Sequence, residues 1–118
     1  MLATLRARND EEQPIIDVLR IEHAVTEFDQ WAAAFARFAG KREEGGVLEV
    51  RILRRVDDAH YVALELDFAT IDRAKSFERF LRTTVWPNSA NSPALMGAPQ
   101  TRIFALQEIH AGAGPAMS

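Results

Sequence analysis

Of the three histidines in this chain, His23 is the residue best placed for acid–base chemistry. Imidazole titrates near neutral pH, so His23 could act as a general base or as a hydrogen-bond donor to a bound oxygen. The alternative is a core histidine that bonds to the backbone. We expect His60, in a turn, and His110, near the tail, to be exposed. No pair of histidines has metal-ligand spacing on one element, so we expect no metal site.

Aromatic residues recur at helical spacing in two separate stretches and could together line a pocket for a flat ligand. Such stripes are also common in ordinary cores, and that alternative stays open. The residues are Trp31, Phe35, Phe77, Phe80 and Trp86.

The stretch from residue 86 to residue 99 contains three prolines and is predicted to be a long loop. Its amide side chains, Asn88 and Asn91, could donate hydrogen bonds at the mouth of such a pocket, as could the hydroxyls of Ser89 and Ser92. The alternative is that these side chains satisfy the backbone of turns within the loop.

The elements that must position these residues centre on a hairpin over residues 47–68. Apolar and charged residues alternate there in steps of two, which is typical of two strands with one apolar face and one charged face. The charged face includes Arg20 and Glu22 of the preceding strand together with Arg51 and Glu65. A carboxylate pair there could serve acid–base chemistry, but an ion-paired dimer interface is the favoured interpretation.

The remaining elements frame the hairpin. Residues 15–25 are rich in β-branched side chains and predict a strand. A capping box over Thr26–Asp29 predicts a helix that continues to Lys41 or Glu44. Thr70 caps a second predicted helix, which Pro87 ends, and residues 101–109 predict the last strand.

This order is strand, helix, strand, strand, helix, strand. It predicts a ferredoxin-like α+β fold, in which a four-stranded antiparallel sheet carries two helices on one face. We expect one domain over residues 15–110, with a loose arm at 1–14 and a tail at 111–118. The other face of the sheet would carry Ile16, Val18, Leu53, Tyr61 and Ala63 between its charges. We expect that face to pair with a second copy, giving a homodimer.

Composition narrows the class of partner. A net charge of −3 and a pI near 5.6 argue against nucleic acid, whose phosphates need clustered Lys and Arg. The chain has no cysteine, which removes disulfides and thiolate metal sites from consideration. No stretch has the apolar length of a membrane span, and we expect a cytoplasmic protein without a membrane partner.

Three segments together resemble the dimeric α+β barrel superfamily, and within it small bacterial proteins of the antibiotic-biosynthesis-monooxygenase-like or cyclase-like kind. They are residues 23–35, the Arg-Val-Asp-Asp turn at 55–58, and residues 92–102. The resemblance implies a homodimer whose paired sheets enclose a barrel, with a pocket between each sheet and its helices.

The resemblance also implies an activity. Relatives include cofactor-independent monooxygenases that oxidise phenolic or quinol-type polyketides, as well as haem-degrading enzymes. The haem-degrading members carry an iron-binding histidine on the second helix, and residues 71–85 contain none, so haem is disfavoured. The leading hypothesis is therefore a cofactor-free protein that binds an aromatic or polyketide-like molecule. In this hypothesis His23 is the base or the hydrogen-bond donor to an oxyanion, and Trp31 and Trp86 are stacking walls. The rival is a non-catalytic dimer whose barrel is filled by its own side chains.

Overall fold

In the computed structural model, which describes residues 15–112, one antiparallel sheet of four strands carries helices on one side. The elements in chain order are β1 (Asp17–Val25), α1 (Phe28–Ala36), α2 (Ala39–Glu44), β2 (Glu49–Arg55), β3 (Asp58–Phe68), α3 (Ile71–Phe80), a π-helical turn (Leu81–Val85) and β4 (Leu95–Ala105). The strands lie in the order β2-β3-β1-β4. The predicted ferredoxin-like fold is confirmed. The predicted arm (1–14) and all but two residues of the predicted tail lie outside the described residues.

The two central strands create the core because their register brings apolar residues together on one face. Leu19 of β1 lies opposite Leu66 of β3, and Ile21 lies opposite Leu64. All four side chains are buried under the helices. Fully burying an aliphatic side chain contributes roughly 1.5–3 kcal/mol, so this face supplies much of the stability of the domain. We call it the covered face.

The opposite side of the sheet, which we call the open face, carries the alternate residues of the same strands. There Arg20 of β1 lies opposite Glu65 of β3, and Glu65 also lies opposite Arg51 of β2. Leu53 and Phe104 add exposed apolar surface. Two apolar residues predicted to be uncovered on this face, Ile16 and Ala63, are already buried in the single chain. The carbonyl of Ile16 accepts a hydrogen bond from the backbone amide of Leu106.

The first predicted helix is two helices. Arg37 and Phe38 separate α1 from α2, because their amide groups bond three residues back, to Ala34 and Phe35, and tighten the last turn. The cap prediction was wrong by one residue. Glu27, rather than Thr26, accepts the hydrogen bond from the Gln30 amide, at 2.8 Å. For α3 the predicted cap is confirmed, since the Thr70 hydroxyl accepts from the Arg73 amide.

The last strand begins six residues earlier than predicted and ends at Ala105, so the predicted loop is shorter. Leu95 pairs with Val25 and Met96 with Ala24, after which the register shifts by a bulge. Residues 97–99 of β4 therefore lie opposite the single residue His23 of β1. They include Gly97, whose φ of 71° favours glycine, and Pro99, whose missing N–H an edge strand tolerates. Sequence patterns conceal this strand because its first half is irregular.

Candidate functional site

A cavity lies between the covered face and the helices, and apolar side chains form most of its wall. The space inside it that is open to the centres of water-sized molecules is about 60 Å³. The cavity is therefore a narrow slot. Its lining residues are Ile21, His23, Trp31, Ala34, Phe35, Phe38, Arg42, Leu64, Leu66, Phe77, Phe80, Leu81, Val85, Trp86, Asn91, Ser92 and Leu95.

His23 is the one buried polar or charged side chain among residues 15–112, with 4% of its surface exposed. Its Nδ1 lies 2.9 Å from the carbonyl oxygen of Ala24. A carbonyl only accepts, so Nδ1 must carry the proton, and in the neutral ring Nε2 is then the acceptor. Burial lowers the pKa of His23, which favours this neutral form. Nε2 has no hydrogen-bond partner within the described range.

The bulge in β4 coincides with this histidine. The pairing of β1 with β4 is interrupted between Glu22 and Ala24, so His23 lies where the sheet is locally irregular. Bulges change the direction of side chains and occur often beside functional sites. The alternation of apolar residues predicts that His23 faces the helices, but it carries no sign of this irregularity.

Two aromatic rings of α1, Trp31 and Phe35, form the part of the cavity wall next to His23. The indole of Trp31 meets the imidazole edge-on, with 5.9 Å between centroids, and stacks against Phe35 at 5.2 Å. On the other side Phe77 of α3 lies 5.7 Å from Phe80. The structure thus brings His23 together with three predicted aromatic residues, Trp31, Phe35 and Phe77.

The π-helical turn supplies the last part of the wall. The amide of Trp86 donates to the carbonyl of Leu81, five residues back, at 2.8 Å. This wider turn places Leu81, Val85 and Trp86 at the cavity. Short π-helical segments are rare and occur frequently at functional sites.

The two side-chain amides that were predicted to lie at the pocket, Asn88 and Asn91, differ in position. Asn91 lines the cavity, and its Nδ2 donates to the carbonyl of Thr84 at 3.1 Å. Asn88 does not line the cavity. Its Oδ1 accepts from the Ala90 amide, so it stabilises the loop, which is the alternative that the sequence left open. Ser92 lines the cavity and donates to the carbonyl of Val85.

Arg42 is the cavity residue that the sequence analysis missed. Its guanidinium lies 3.8 Å from the centroid of the Phe35 ring, and its Nη1 donates to the Phe35 carbonyl at 2.6 Å. The sequence did contain a signal for this contact, because Phe35 and Arg42 are seven residues apart and would lie on the same side of the single helix that was predicted. A charged residue at the end of a predicted helix is nevertheless usually solvated, and α2 carries three others, Lys41, Glu43 and Glu44.

Residues 15–112 contain no group of three or more His, Asp or Glu side chains that could hold a metal ion. His60 is exposed and lies on β3 rather than in a turn, with Nδ1 3.1 Å from the Thr26 carbonyl oxygen. His110 is exposed beside Glu108. No described helix is long and apolar enough to cross a membrane.

The open face carries the other cluster of charged groups. Arg51 bonds Glu65 at 3.0 Å and Asp67 at 2.8 Å, and Arg20 bonds both Glu22 and Glu65. The guanidinium of Arg51, followed by that of Arg20, holds the pKa of Glu65 below its usual range. The pKa of Glu22 is likewise lowered, first by its bond from Arg20, which leaves Glu22 and Glu65 poorly suited to accept a proton.

Comparisons with known proteins place the fold. No protein-family model and no curated protein matches this chain. Among solved structures, a dimeric ferredoxin-like protein from an uncultured marine organism matches with a TM-score of 0.58 and 11% identity, over 82% of this chain and 100% of that one. SnoaB, a cofactor-independent oxygenase from Streptomyces nogalater, matches with a TM-score of 0.54 and 15% identity, over 85% of this chain and 98% of that one.

A third structure, from Bordetella bronchiseptica and provisionally named an antibiotic biosynthesis monooxygenase, matches with a TM-score of 0.58 and 15% identity. The match covers 83% of this chain and all of the other. Identities this low carry the fold and no reaction. The resemblance predicted from the sequence is confirmed at that level: this chain has the ferredoxin-like α+β fold that the dimeric ferredoxin-like and antibiotic-biosynthesis-monooxygenase-like proteins share.

Proposed function

We propose that this protein is a homodimer that binds a flat aromatic or polyketide-like molecule in the cavity and acts on it without a metal or organic cofactor. The observation that carries the proposal is His23, a buried, neutral imidazole whose Nε2 has no described partner, in a cavity lined by aromatic rings. A buried acceptor without a partner costs free energy, so a ligand that donates a hydrogen bond to it is favoured.

A phenol or quinol is the natural donor for such a site. Its hydroxyl would hydrogen-bond to Nε2 of His23, while its ring lies among Trp31, Phe35 and Trp86. His23 would then accept the proton as the ring becomes an electron-rich anion. The name of the fold neighbour SnoaB, a cofactor-independent oxygenase, supports reaction with O2 as the next step. Cyclisation or isomerisation of the same anion is the other reaction of this class.

The open face supports the homodimer. It combines exposed apolar side chains, Leu53 and Phe104, with ion pairs that already satisfy most of its charges. Apolar surface of this kind is favourably covered by an identical face. A fold neighbour is itself described as a dimeric ferredoxin-like protein.

A non-catalytic binding protein is the second candidate. The narrowness of the slot favours it, because only about 60 Å³ is open to the centres of water-sized molecules. The stacked rings of Trp31 and Phe35 fill much of the remaining wall. Both candidates predict ligand binding in the cavity, and only the first predicts turnover that depends on His23.

Calorimetric titration with 2-naphthol, a flat phenol, tests the binding. Ala34 lines the cavity and is buried, whereas its neighbour Ala33 is exposed on the same helix. We expect Ala34→Leu to abolish binding by filling the slot and Ala33→Leu to leave it unchanged. Equal binding by both variants would place the ligand elsewhere and refute the proposed site.

Oxygen consumption with a quinol-type substrate tests the reaction. We expect His23→Ala to reduce the rate by about 100-fold or more, the usual contribution of a general base. The same variant should still bind naphthalene, which has no hydroxyl. A rate that does not change in His23→Ala would remove the role assigned to this residue, and no turnover with any substrate would favour the binding protein.

A further inference from the structure

Arg42 lies in α2 at the wall of the cavity, and two contacts hold its side chain in place. The guanidinium lies over the Phe35 ring, and Nη1 donates to the Phe35 carbonyl. Phe35 in turn stacks on Trp31, which meets His23. Rings in contact thus connect a neutral base to a fixed cation along one wall.

The charge of Arg42 has no acidic partner in residues 15–112. No carboxylate lies within 4.0 Å of its guanidinium, and burial alone lowers its pKa. Arg51 on the open face provides the contrast, because it is also only partly buried yet bonds both Glu65 and Asp67. A partly buried cation without a counter-charge is costly, and an anion that reaches it is correspondingly favoured.

The donors of Arg42 are also mostly free. A guanidinium has five N–H groups in a planar fork, and the Phe35 carbonyl accepts from Nη1. Nε and Nη2 donate to no described residue. Basic side chains near helix C-termini often donate to the last carbonyl groups of the helix, which explains the bond from Arg42 to the Phe35 carbonyl at the end of α1. This explanation does not account for Nε and Nη2, a pair of donors that matches the two oxygens of a carboxylate.

We propose that the ligand of the cavity is an aromatic carboxylate, whose carboxylate oxygens accept hydrogen bonds from Arg42 while its ring lies against Trp31 and Phe35. This inference rests on the proposed function, since it assigns the second end of a molecule whose hydroxyl meets His23. The substrate class is thereby narrowed from phenols in general to hydroxylated aromatic acids.

Three naphthalene probes separate the two ends of the ligand. 6-Hydroxy-2-naphthoate carries both groups, 2-naphthol lacks the carboxylate, and 2-naphthoate lacks the hydroxyl. We expect the hydroxynaphthoate to bind the native protein about 10-fold more tightly than 2-naphthol, as a charge-assisted bidentate pair predicts. In Arg42→Met that preference should disappear while 2-naphthol still binds, which also shows that the variant folds.

Arg42→Lys keeps the charge without the planar fork, and we expect it to retain only part of the preference. Arg79→Met is the matched control: Arg79 is an exposed arginine on α3 that does not line the cavity, and its loss should change nothing. If the native protein binds hydroxynaphthoate and 2-naphthol equally, or Arg42→Met keeps the preference, this inference is overturned while the proposed function stands. If none of the three probes binds, the proposed function fails as well.

Discussion

The two faces of the sheet come from the same alternating pattern, but one is buried beneath helices and the other carries paired charges. The covered face buries Leu19, Ile21 and Leu66 beneath helices, with His23 as its buried polar residue. None of the helices described in residues 15–112 covers the open face, and its charges are linked across three strands through Arg20, Glu65 and Arg51. Burial on the covered face lowers the pKa of the His23 imidazole, whereas ion pairing on the open face lowers the pKa values of Glu22 and Glu65.

Matched leucine substitutions should give the largest difference between the faces. We expect Leu19→Ala to lower the free energy of unfolding by about 3 kcal/mol, since Leu19 is fully buried. Leu53→Ala, on the open face at 45% exposure, should cost less than about 1 kcal/mol. Urea unfolding at a concentration where the protein is a protomer measures both. Similar losses would show that the open face is as tightly packed as the core.

A charge placed on the open face should break the proposed dimer. We expect Phe104→Asp to raise the dissociation constant by about 100-fold, because an unpaired carboxylate would be buried between two sheets. Ile71→Asp is the control, since Ile71 is similarly exposed but lies on α3. Sedimentation velocity measures both. Dissociation by Ile71→Asp instead would move the interface to the helices, and a native protein that is always a protomer would refute the dimer.

The covered face should respond to pH near neutrality. Burial lowers the pKa of His23 below its ordinary 6.5. Between the pKa of the folded state and that of the unfolded state, His23 is therefore protonated in the unfolded chain and neutral in the folded chain. The stability linked to His23 is therefore complete above about pH 6.5 and falls as the pH drops, by at most about 1.4 kcal/mol per pH unit. Urea unfolding should show this slope in the native protein and lose it in His23→Leu. His60→Gln, at an exposed histidine, should keep the slope.

The open face should respond only in acid, and more weakly. Hydrogen bonds from Arg51 and Arg20 lower the pKa of Glu65 below its ordinary 4.5. Its contribution is therefore present above about pH 4.5 and disappears as the pH falls through the folded pKa. We expect Glu65→Gln to cost about 0.5–1 kcal/mol at neutral pH, with the two unfolding curves converging in acid. A constant difference at all pH values would mean that its charge contributes nothing.

Much of this structure could be predicted because local patterns dictate it. Alternation in residues 47–68 predicts the hairpin and both of its faces, and the Thr70 cap predicts the start of α3. The break in the first helix could not be predicted so, because Arg37 and Phe38 do not interrupt the apolar spacing. Nor could the first half of β4, because a bulge with Gly97 and Pro99 has no alternating pattern.

The candidate site divides in the same way. His23, Trp31, Phe35, Phe77, Trp86 and Asn91 were selected by residue type, and the structure brings all six to one cavity. Asn88 was predicted to lie at the pocket but stabilises its own loop, and Arg42, for which no role was predicted, lines the cavity. Residue type does not reveal which neighbour a long or polar side chain will reach.

The sequence by itself determined the order of the elements, the two-sided character of the sheet and the burial of His23. These follow from the periodicity of neighbouring residues, which is a local property. Only the tertiary structure decided three features of residues 15–112: Nε2 of the imidazole has no hydrogen-bond partner there, a bulge lies opposite His23, and Arg42 lies at the same cavity with no acidic partner in that range. Each of these depends on contacts between segments distant in the chain, and local periodicity contains no record of such contacts.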